Sequence, residues 1–214
     1  MSVYIVAELG QNHNGDIDIA CEMIRQAKDA GADAVKVQIR TLPDTIPLHK
    51  RSEPKNTPWG AMTYLAYRER LELSTADLRT VVHMANSIRI NCFASVWDIE
   101  ALRVASQIFG SRPIKIPSAC LTDDDLLTEV AKTGNPVILS TGMSTYKEIF
   151  HAHGFFYEVS DLTICHCVSA YPCPSDQLNL NGIHTLRDNF LNAQIGYSLS
   201  LIHISEPTRQ AEIS

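Results

Sequence analysis

The feature that most constrains the fold is a repeated alternation of short β-branched runs with longer amphipathic stretches. Seven β-branched runs have the length of strands: 3–9, 34–40, 90–96, 113–118, 136–141, 162–168 and 193–198. The stretches between them repeat apolar residues at helical spacing, as in 17–30, 75–87, 98–109, 123–133 and 180–190. Because strand and helix alternate, the sequence predicts an α/β fold with a parallel sheet.

Residues at the helix ends agree with this interpretation. Asp16 is expected to cap the first helix and Gly31 to end it, while Ser74 caps the next helix with Asp77 three residues further on. Gly134 ends the helix predicted over 123–133. These signals should place the helix boundaries within a few residues.

The seven strands favour a TIM (β/α)8-type barrel, here truncated after the seventh strand. An open doubly wound sheet would carry a G-x-G-x-x-G turn after its first strand. The turn at 10–15 reads GQNHNG and does not fit that pattern. The long connection 41–60 carries four prolines, so it predicts a lid, a binding loop or a disordered segment.

The end of the sequence departs from this alternation. Residues 199–214 follow the seventh run without a turn-and-helix pattern and resemble a translated sequencing adapter. We therefore interpret 1–198 as an incomplete barrel domain and 199–214 as a non-native tail. On this interpretation the natural protein is longer, and part of its active site lies beyond residue 198.

Composition excludes several classes of function. Eighteen Lys and Arg against 24 Asp and Glu give a net charge of −6, so no global basic field exists to hold nucleic acid or an anionic membrane. No apolar run is long enough for a membrane helix, and no leader precedes the first strand, so we expect a cytoplasmic protein. The six cysteines form no C-x-x-C pair and are expected to be free thiols.

Two lysines carry the clearest chemical signal. In VKVQI (35–39) the apolar residues share one face, and Lys36 and Gln38 share the other. Lys115 lies between two isoleucines in the fourth run in the same way. A lysine inside a covered sheet needs an anionic partner, so the pair predicts an anion site. Hydroxyl donors near strand ends could complete it: Ser95, Ser118, Ser140 and Ser169.

Glu8 ends the first strand, and its spacing leaves two roles open. The carboxylate is either the ion-pair partner of a barrel lysine or a general acid/base tuned by that lysine. The Cys165-His166-Cys167 segment does not predict a metal site, because alternation places His166 on the face opposite the two cysteines. The cysteines are interpreted as packing residues.

Four segments together resemble the N-acetylneuraminate (sialic acid) synthase family. They are AELGQNHNGD at 7–16, GADAVKVQ at 31–38, ILSTGMST at 138–145 and HCVSAYP at 166–172. The resemblance extends from residue 3 to residue 198. It implies a TIM barrel that is followed, in the family, by a small antifreeze-like domain contributing to the partner's active site in a homodimer.

The resemblance implies a transferase that condenses phosphoenolpyruvate with an N-acylmannosamine-type aldose, forming a nonulosonic acid and phosphate. Gln38 and Tyr171 would face the sugar, and Glu8 would transfer a proton near a metal-bound aldehyde. A divalent metal, Mn or Mg, is implied, with its histidine ligands just beyond residue 198. The phosphoenolpyruvate-binding residues would be Lys36, Ser95, Lys115, Ser118, Ser140 and Ser169.

One departure and two alternatives remain open. Cys120 stands where the family usually has an acidic residue that contacts the sugar, so the acceptor sugar is not identified. A Schiff-base aldolase or an epimerase acting on a phosphorylated sugar would use the same lysines. The chain as given could also be an inactive fragment that only binds anions.

Overall fold

The computed structural model describes residues 3–43, 45–159, 161–170 and 173–198. The chain divides into two compact units. Of the described residues, those up to Lys115 form one unit together with Lys132–Pro136, and Ile116–Ala131 and the described residues from Val137 onward form the other. Residues 199–214, interpreted above as a non-native tail, lie outside the described part, and so does Tyr171.

The first unit contains a parallel sheet and a small hairpin. Its strands are β1 (Val6–Gly10), β2 (Ala34–Ile39), β3 (Pro54–Thr57), β4 (Gly60–Thr63), β5 (Asn91–Val96) and β6 (Ile114–Ile116). Its helices are α1 (Ile17–Asp29), α2 (Leu48–Arg51), α3 (Tyr64–Leu71), α4 (Thr75–Ser87) and α5 (Ile99–Phe109). The parallel strands follow the order β1, β2, β5, β6, whereas β3 and β4 pair antiparallel.

Register in the first unit decides which polar side chains become neighbours. Glu8 on β1 lies opposite Lys36 on β2. One step further along, Gln38 pairs with Ser95 on β5, and Ser95 pairs with Lys115 on β6. Residues in register on parallel strands point to the same face, so the sheet presents two adjacent polar rows.

The second unit alternates three strands with helices. Its elements are a 3-10 turn (Ser118–Cys120), α6 (Asp124–Lys132), β7 (Val137–Ser140), α7 (Tyr146–Phe155), β8 (Leu162–His166), a 3-10 turn (Ser175–Gln177), α8 (Asn181–Asn189) and β9 (Gln194–Tyr197). Strands β7, β8 and β9 are parallel and adjacent in that order. Its core includes Leu126, Leu127, Leu139, Phe156 and Ile164, all fully buried.

The predicted α/β class is confirmed. Each of the seven predicted runs contains a parallel strand, and each of the five predicted helices is present. Asp16 accepts from the first-turn amides of α1, and Ser74 and Asp77 form a capping box at α4. Closure of the sheet as a TIM-type barrel, and its truncation after the seventh strand, stay predictions.

Two regions were not anticipated in this form. The connection over 41–60 contains α2, β3 and the start of β4, so much of it has regular structure. Helix α7 was also missing from the predicted set, although it begins with a Thr145–Glu148 capping box that the sequence contains. None of the helices in the described part of the chain has the length and apolar character needed to cross a bilayer.

Candidate active site

Lys36 is the centre of the polar face in the first unit. It lies between the fully buried Val35 and Val37 on β2, and only 4% of its surface is exposed. Its Nζ lies 2.5 Å from Glu8 Oε2 and donates to Ser95 Oγ at 3.1 Å. The structure therefore brings together three of the residues selected from sequence, on three different strands.

Burial sets the protonation of this lysine. Desolvation lowers the pKa of Lys36 to about 8, the nearby Glu8 carboxylate opposes this shift, and the charges of Lys115 and Arg40 add to it. At neutral pH the amine is still mostly protonated, but only with the help of an adjacent anion. A further anion from a ligand would stabilise the charged form.

Lys115 adds a second cation to the same face. It projects from β6 between the buried Ile114 and Ile116, in register with Ser95. Its effect on the Lys36 pKa shows that the two ammonium groups interact. Two neighbouring cations with one half-exposed carboxylate leave an excess positive charge, which favours binding of a dianionic group.

Glu8 is the ion-pair partner of Lys36, one of the two roles left open by the sequence. Its side chain is 48% exposed, so it can also contact a ligand. The other carboxylate oxygen accepts from the backbone N–H of Gly10 at 2.9 Å, which fixes the orientation of the group. A role in proton transfer is compatible with this exposed and oriented position.

Gln38 belongs to a network that sequence reasoning missed. Its amide oxygen accepts from Arg40 Nε at 2.9 Å and from Nη2 at 3.1 Å, in the amide orientation that satisfies both residues. The Arg40 guanidinium lies 3.6 Å from the centre of the Trp97 ring. Strand alternation could have placed Arg40 on the same face as Gln38, since it follows Gln38 by two residues. No sequence pattern pointed to Trp97.

Glu72 is the acidic member of the same network. Gln11 Nε2 donates to Glu72 Oε1 at 2.8 Å. Burial raises the pKa of Glu72, while the charges of Arg40 and Arg68 and hydrogen bonds from Gln11 and the Arg40 backbone oppose that shift. The loop after β1 and the end of β2 are thus linked through one carboxylate.

The second unit brings three hydroxyls to the end of β7. Ser118 Oγ accepts from the Gly142 backbone N–H at 2.9 Å. A Cβ at Gly142 would meet Ser169 Oγ and Ser118 Oγ, so only glycine fits between the two serines. Ser140 Oγ is buried and has no hydrogen-bond partner among the described residues. The Ser140 hydroxyl is thus an unsatisfied polar group in the interior of this unit.

His166 and its neighbouring cysteines have structural contacts. His166 Nε2 lies 3.1 Å from the carbonyl oxygen of Leu178, and Cys167 Sγ donates to the carbonyl of Cys165 at 3.4 Å. The six cysteines, which all lie in the described part of the chain, form no disulfide bond, and Cys120 is buried. A cavity of about 330 Å³ within this unit is lined by five residues between Thr141 and Ile149, by five between Asn179 and Leu186, and by His166 and Cys167.

The implied divalent metal does not fit the described residues. Over 3–43, 45–159, 161–170 and 173–198, no three His, Cys, Asp or Glu side chains group closely enough to hold an ion. Metal sites in proteins are built from such groups. We therefore assign no metal ligand in these segments.

A family model settles the relationship of the chain to known proteins. The NeuB family model matches residues 23–204, most of the sequence. The chain belongs to the NeuB family. This membership confirms the resemblance to sialic acid synthases that was inferred from the four sequence segments.

Two relatives of this NeuB chain are named as synthases of sialic-type acids. It is 34% identical to N,N'-diacetyllegionaminic acid synthase from Legionella pneumophila, over 97% of the chain and 60% of that protein. It is 35% identical to N-acetylneuraminate-9-phosphate synthase from Drosophila melanogaster, over 92% of the chain and 54% of that protein. The chain thus spans less than two thirds of the length of these curated relatives.

A solved structure agrees with the sequence relatives. The N-acetylneuraminic acid (sialic acid) synthetase of Leptospira borgpetersenii, crystallised with citrate, is 30% identical and superposes with a TM-score of 0.81. The match covers 93% of the NeuB chain and 65% of that structure. The α/β fold described above is therefore similar to that of a sialic acid synthetase.

Proposed function

We propose that this NeuB chain carries the phosphoenolpyruvate site of a synthase that condenses phosphoenolpyruvate with an N-acylmannosamine-type aldose. The observation that supports this most directly is the buried Lys36, held by Glu8 and Ser95 with Lys115 close by. A substrate with a phosphate and a carboxylate supplies the negative charge that two neighbouring ammonium groups require. Family membership supports the class of reaction.

The roles of individual residues follow from their contacts. Lys36 and Lys115 bind the anionic groups, and Ser95 orients the Lys36 ammonium. Glu8, half-exposed and hydrogen-bonded to Gly10, transfers a proton during the condensation. Gln38 faces the sugar from the same strand face as Lys36. We propose Tyr171 as a second sugar contact on the resemblance alone, because it lies outside the described residues.

The hydroxyl cluster is proposed as an additional set of anion donors. Ser118 and Ser169 flank Gly142, and Ser140 Oγ lacks a partner among the described side chains. Neutral donors suit a phosphate or carboxylate because they stabilise charge without adding more. Phosphoenolpyruvate binding to serine-to-alanine variants tests this proposal.

Binding and product formation test the proposal. Calorimetry with phosphoenolpyruvate, followed by assay of phosphate release in the presence of N-acetylmannosamine, should show binding that Lys36→Met weakens strongly. The control is Lys147→Met, since Lys147 is an exposed lysine on α7. Equal affinity in wild type and Lys36→Met would refute the site. Binding without phosphate release would restrict the proposal to the anion site.

One observation also supports the Schiff-base alternative. An amine with a pKa of about 8 is partly neutral at slightly alkaline pH and can attack a carbonyl. Borohydride reduction in the presence of pyruvate or a ketose would trap an imine on Lys36 and add the mass of the ligand to the protein. The synthase proposal expects no adduct, because it requires no imine.

A further inference from the structure

Gln38 occupies a defined place beside the proposed anion site. It lies two residues after Lys36 on β2 and pairs in register with Ser95. Both residues therefore present their side chains to the same face of the sheet. A ligand held at Lys36 would meet the Gln38 amide next.

A glutamine amide can present either of two faces to a ligand. Its oxygen accepts hydrogen bonds and its nitrogen donates them, and rotation by half a turn exchanges the two. An unrestrained glutamine would therefore bind donors and acceptors alike. Whatever fixes the rotation also decides which kind of ligand atom is recognised.

Arg40 removes this ambiguity. Its Nε and Nη2 both donate to the Gln38 amide oxygen, at 2.9 and 3.1 Å. A guanidinium can only donate, so it pairs with the oxygen and never with the amide nitrogen. In this orientation the amide nitrogen faces away from Arg40, toward hydrogen-bond acceptors. Both N–H groups therefore point to the side away from Arg40.

Arg40 is itself well anchored. Its guanidinium stacks over the Trp97 ring, 3.6 Å from the ring centre, and this contact restricts the orientation of the guanidinium plane. The Glu72 carboxylate, bonded to Gln11, interacts with the Arg40 charge and with its backbone N–H. The guanidinium that orients Gln38 is thus restrained by both Trp97 and Glu72.

We propose that Arg40 is a positioning residue that fixes the Gln38 amide so that its N–H groups select a hydrogen-bond acceptor on the substrate. Within the proposed function, on which this inference rests, that acceptor is a hydroxyl or carbonyl oxygen of the amino sugar. Arg40 contacts Gln38 and not the sugar. The sugar site therefore discriminates by polarity as well as by shape.

Substitutions at Gln38 and Arg40 test separately the amide that donates and the guanidinium that orients it. Gln38→Glu keeps a carboxyl oxygen for Arg40 but removes both N–H donors. Arg40→Met removes the fork and leaves the amide free to rotate. Arg40→Lys restores one donor to the amide oxygen. Arg70→Met is the matched control, since Arg70 stacks over a different ring, Trp59.

The measurement is calorimetric titration of the full chain with N-acetylmannosamine at saturating phosphoenolpyruvate. Gln38→Glu and Arg40→Met should each weaken sugar binding by roughly fivefold to tenfold, the range of one neutral hydrogen bond. The double variant should be no weaker than Gln38→Glu alone, because both changes remove the same interaction. Arg40→Lys should recover most of the affinity, and Arg70→Met should match wild type.

The outcomes separate this inference from the function on which it rests. Wild-type sugar affinity in Gln38→Glu or Arg40→Met overturns the positioning role, as does a wild-type chain that binds phosphoenolpyruvate but no sugar. A wild-type chain that fails to bind phosphoenolpyruvate overturns the proposed function instead. Equal thermal midpoints across the variants show that any loss of affinity does not come from unfolding.

Discussion

Lys36 and Glu8 form a close ion pair, 2.5 Å apart, in which the lysine side chain is 5% exposed and the carboxylate 48% exposed. The pair joins two neighbouring parallel strands at the point where their side chains are in register. Burial of the cation is costly, whereas the half-exposed anion faces outward. The Glu8 carboxylate offsets part of the cost of burying Lys36, because its charge and its hydrogen bond raise the pKa of that lysine against the effect of burial.

Phosphoenolpyruvate affinity should fall as the pH rises above about 8. The pKa of Lys36 is lowered to about 8 by burial, so in the free protein the ammonium loses its proton through that region. A neutral amine contributes no charge to anion binding. Titration between pH 7 and 10 should show this loss in wild type and a flatter profile in Lys36→Met. Identical profiles would contradict the role of Lys36.

Stability should change with pH in the opposite direction. An unfolded lysine titrates near 10.4, so between about pH 8 and that value the unfolded state binds more protons than the folded state. The free energy of unfolding should therefore rise across this window, by as much as about 3 kcal/mol. The cost of the buried charge is fully present below the window. Denaturant unfolding at several pH values should show the rise in wild type and its absence in Lys36→Met.

Replacing Glu8 should affect turnover more than binding. If the carboxylate transfers a proton as proposed, Glu8→Gln should reduce kcat by about 10²–10⁴. Glu22→Gln is the control, because Glu22 pairs with Arg25 on an exposed helix face. Near-normal kcat in Glu8→Gln would leave only the ion-pair role. Phosphate release at saturating substrates is the measurement.

Lys115→Met should weaken phosphoenolpyruvate binding by roughly 1.5–3 kcal/mol, the scale of a charged hydrogen bond. It should also raise the pKa of Lys36, since the Lys115 charge is one cause of its lowering. Calorimetry gives the first quantity, and the pH dependence of binding to the variant gives the second. Unchanged affinity together with an unchanged pH profile would show that Lys115 is not part of the binding site.

The close approach at Gly142 predicts a local and severe effect. Gly142→Ala places a Cβ against Ser118 Oγ and Ser169 Oγ, so it should destabilise the protein by about 1–3 kcal/mol. Gly154→Ala is the matched control, because nothing lies within 4 Å of a Cβ there, in helix α7. That change should stabilise the protein by about 0.5–1 kcal/mol. Thermal unfolding of both variants tests the contrast.

The buried hydroxyl of Ser140 should behave differently from an ordinary core hydroxyl. It has no hydrogen-bond partner within the described segments, so Ser140→Ala removes an unsatisfied group and should leave stability unchanged or raise it by up to about 1 kcal/mol. Thermal unfolding is the measurement. A variant that loses stability would show that the Ser140 hydroxyl makes a stabilising contact instead.

The sequence by itself determined the local properties of this protein. Alternation with period two placed Lys36 opposite Val35 and Val37, and the same rule placed Lys115 opposite its isoleucines. Helix caps at Asp16 and Ser74 were readable because they depend on residues within one turn. Family membership was readable because four ordered segments carry it.

Only the tertiary structure decided which side chains meet. Glu8 and Lys36 are 28 positions apart, and Ser95 lies 59 positions after Lys36, so their contacts depend on strand register and not on local pattern. The same holds for Arg40 on Trp97 and for Ser118 at Gly142, each of which joins segments separated by at least one helix. Register is set by packing over the whole sheet. Periodicity therefore fixes the face on which a residue lies, whereas only the folded chain fixes its partner.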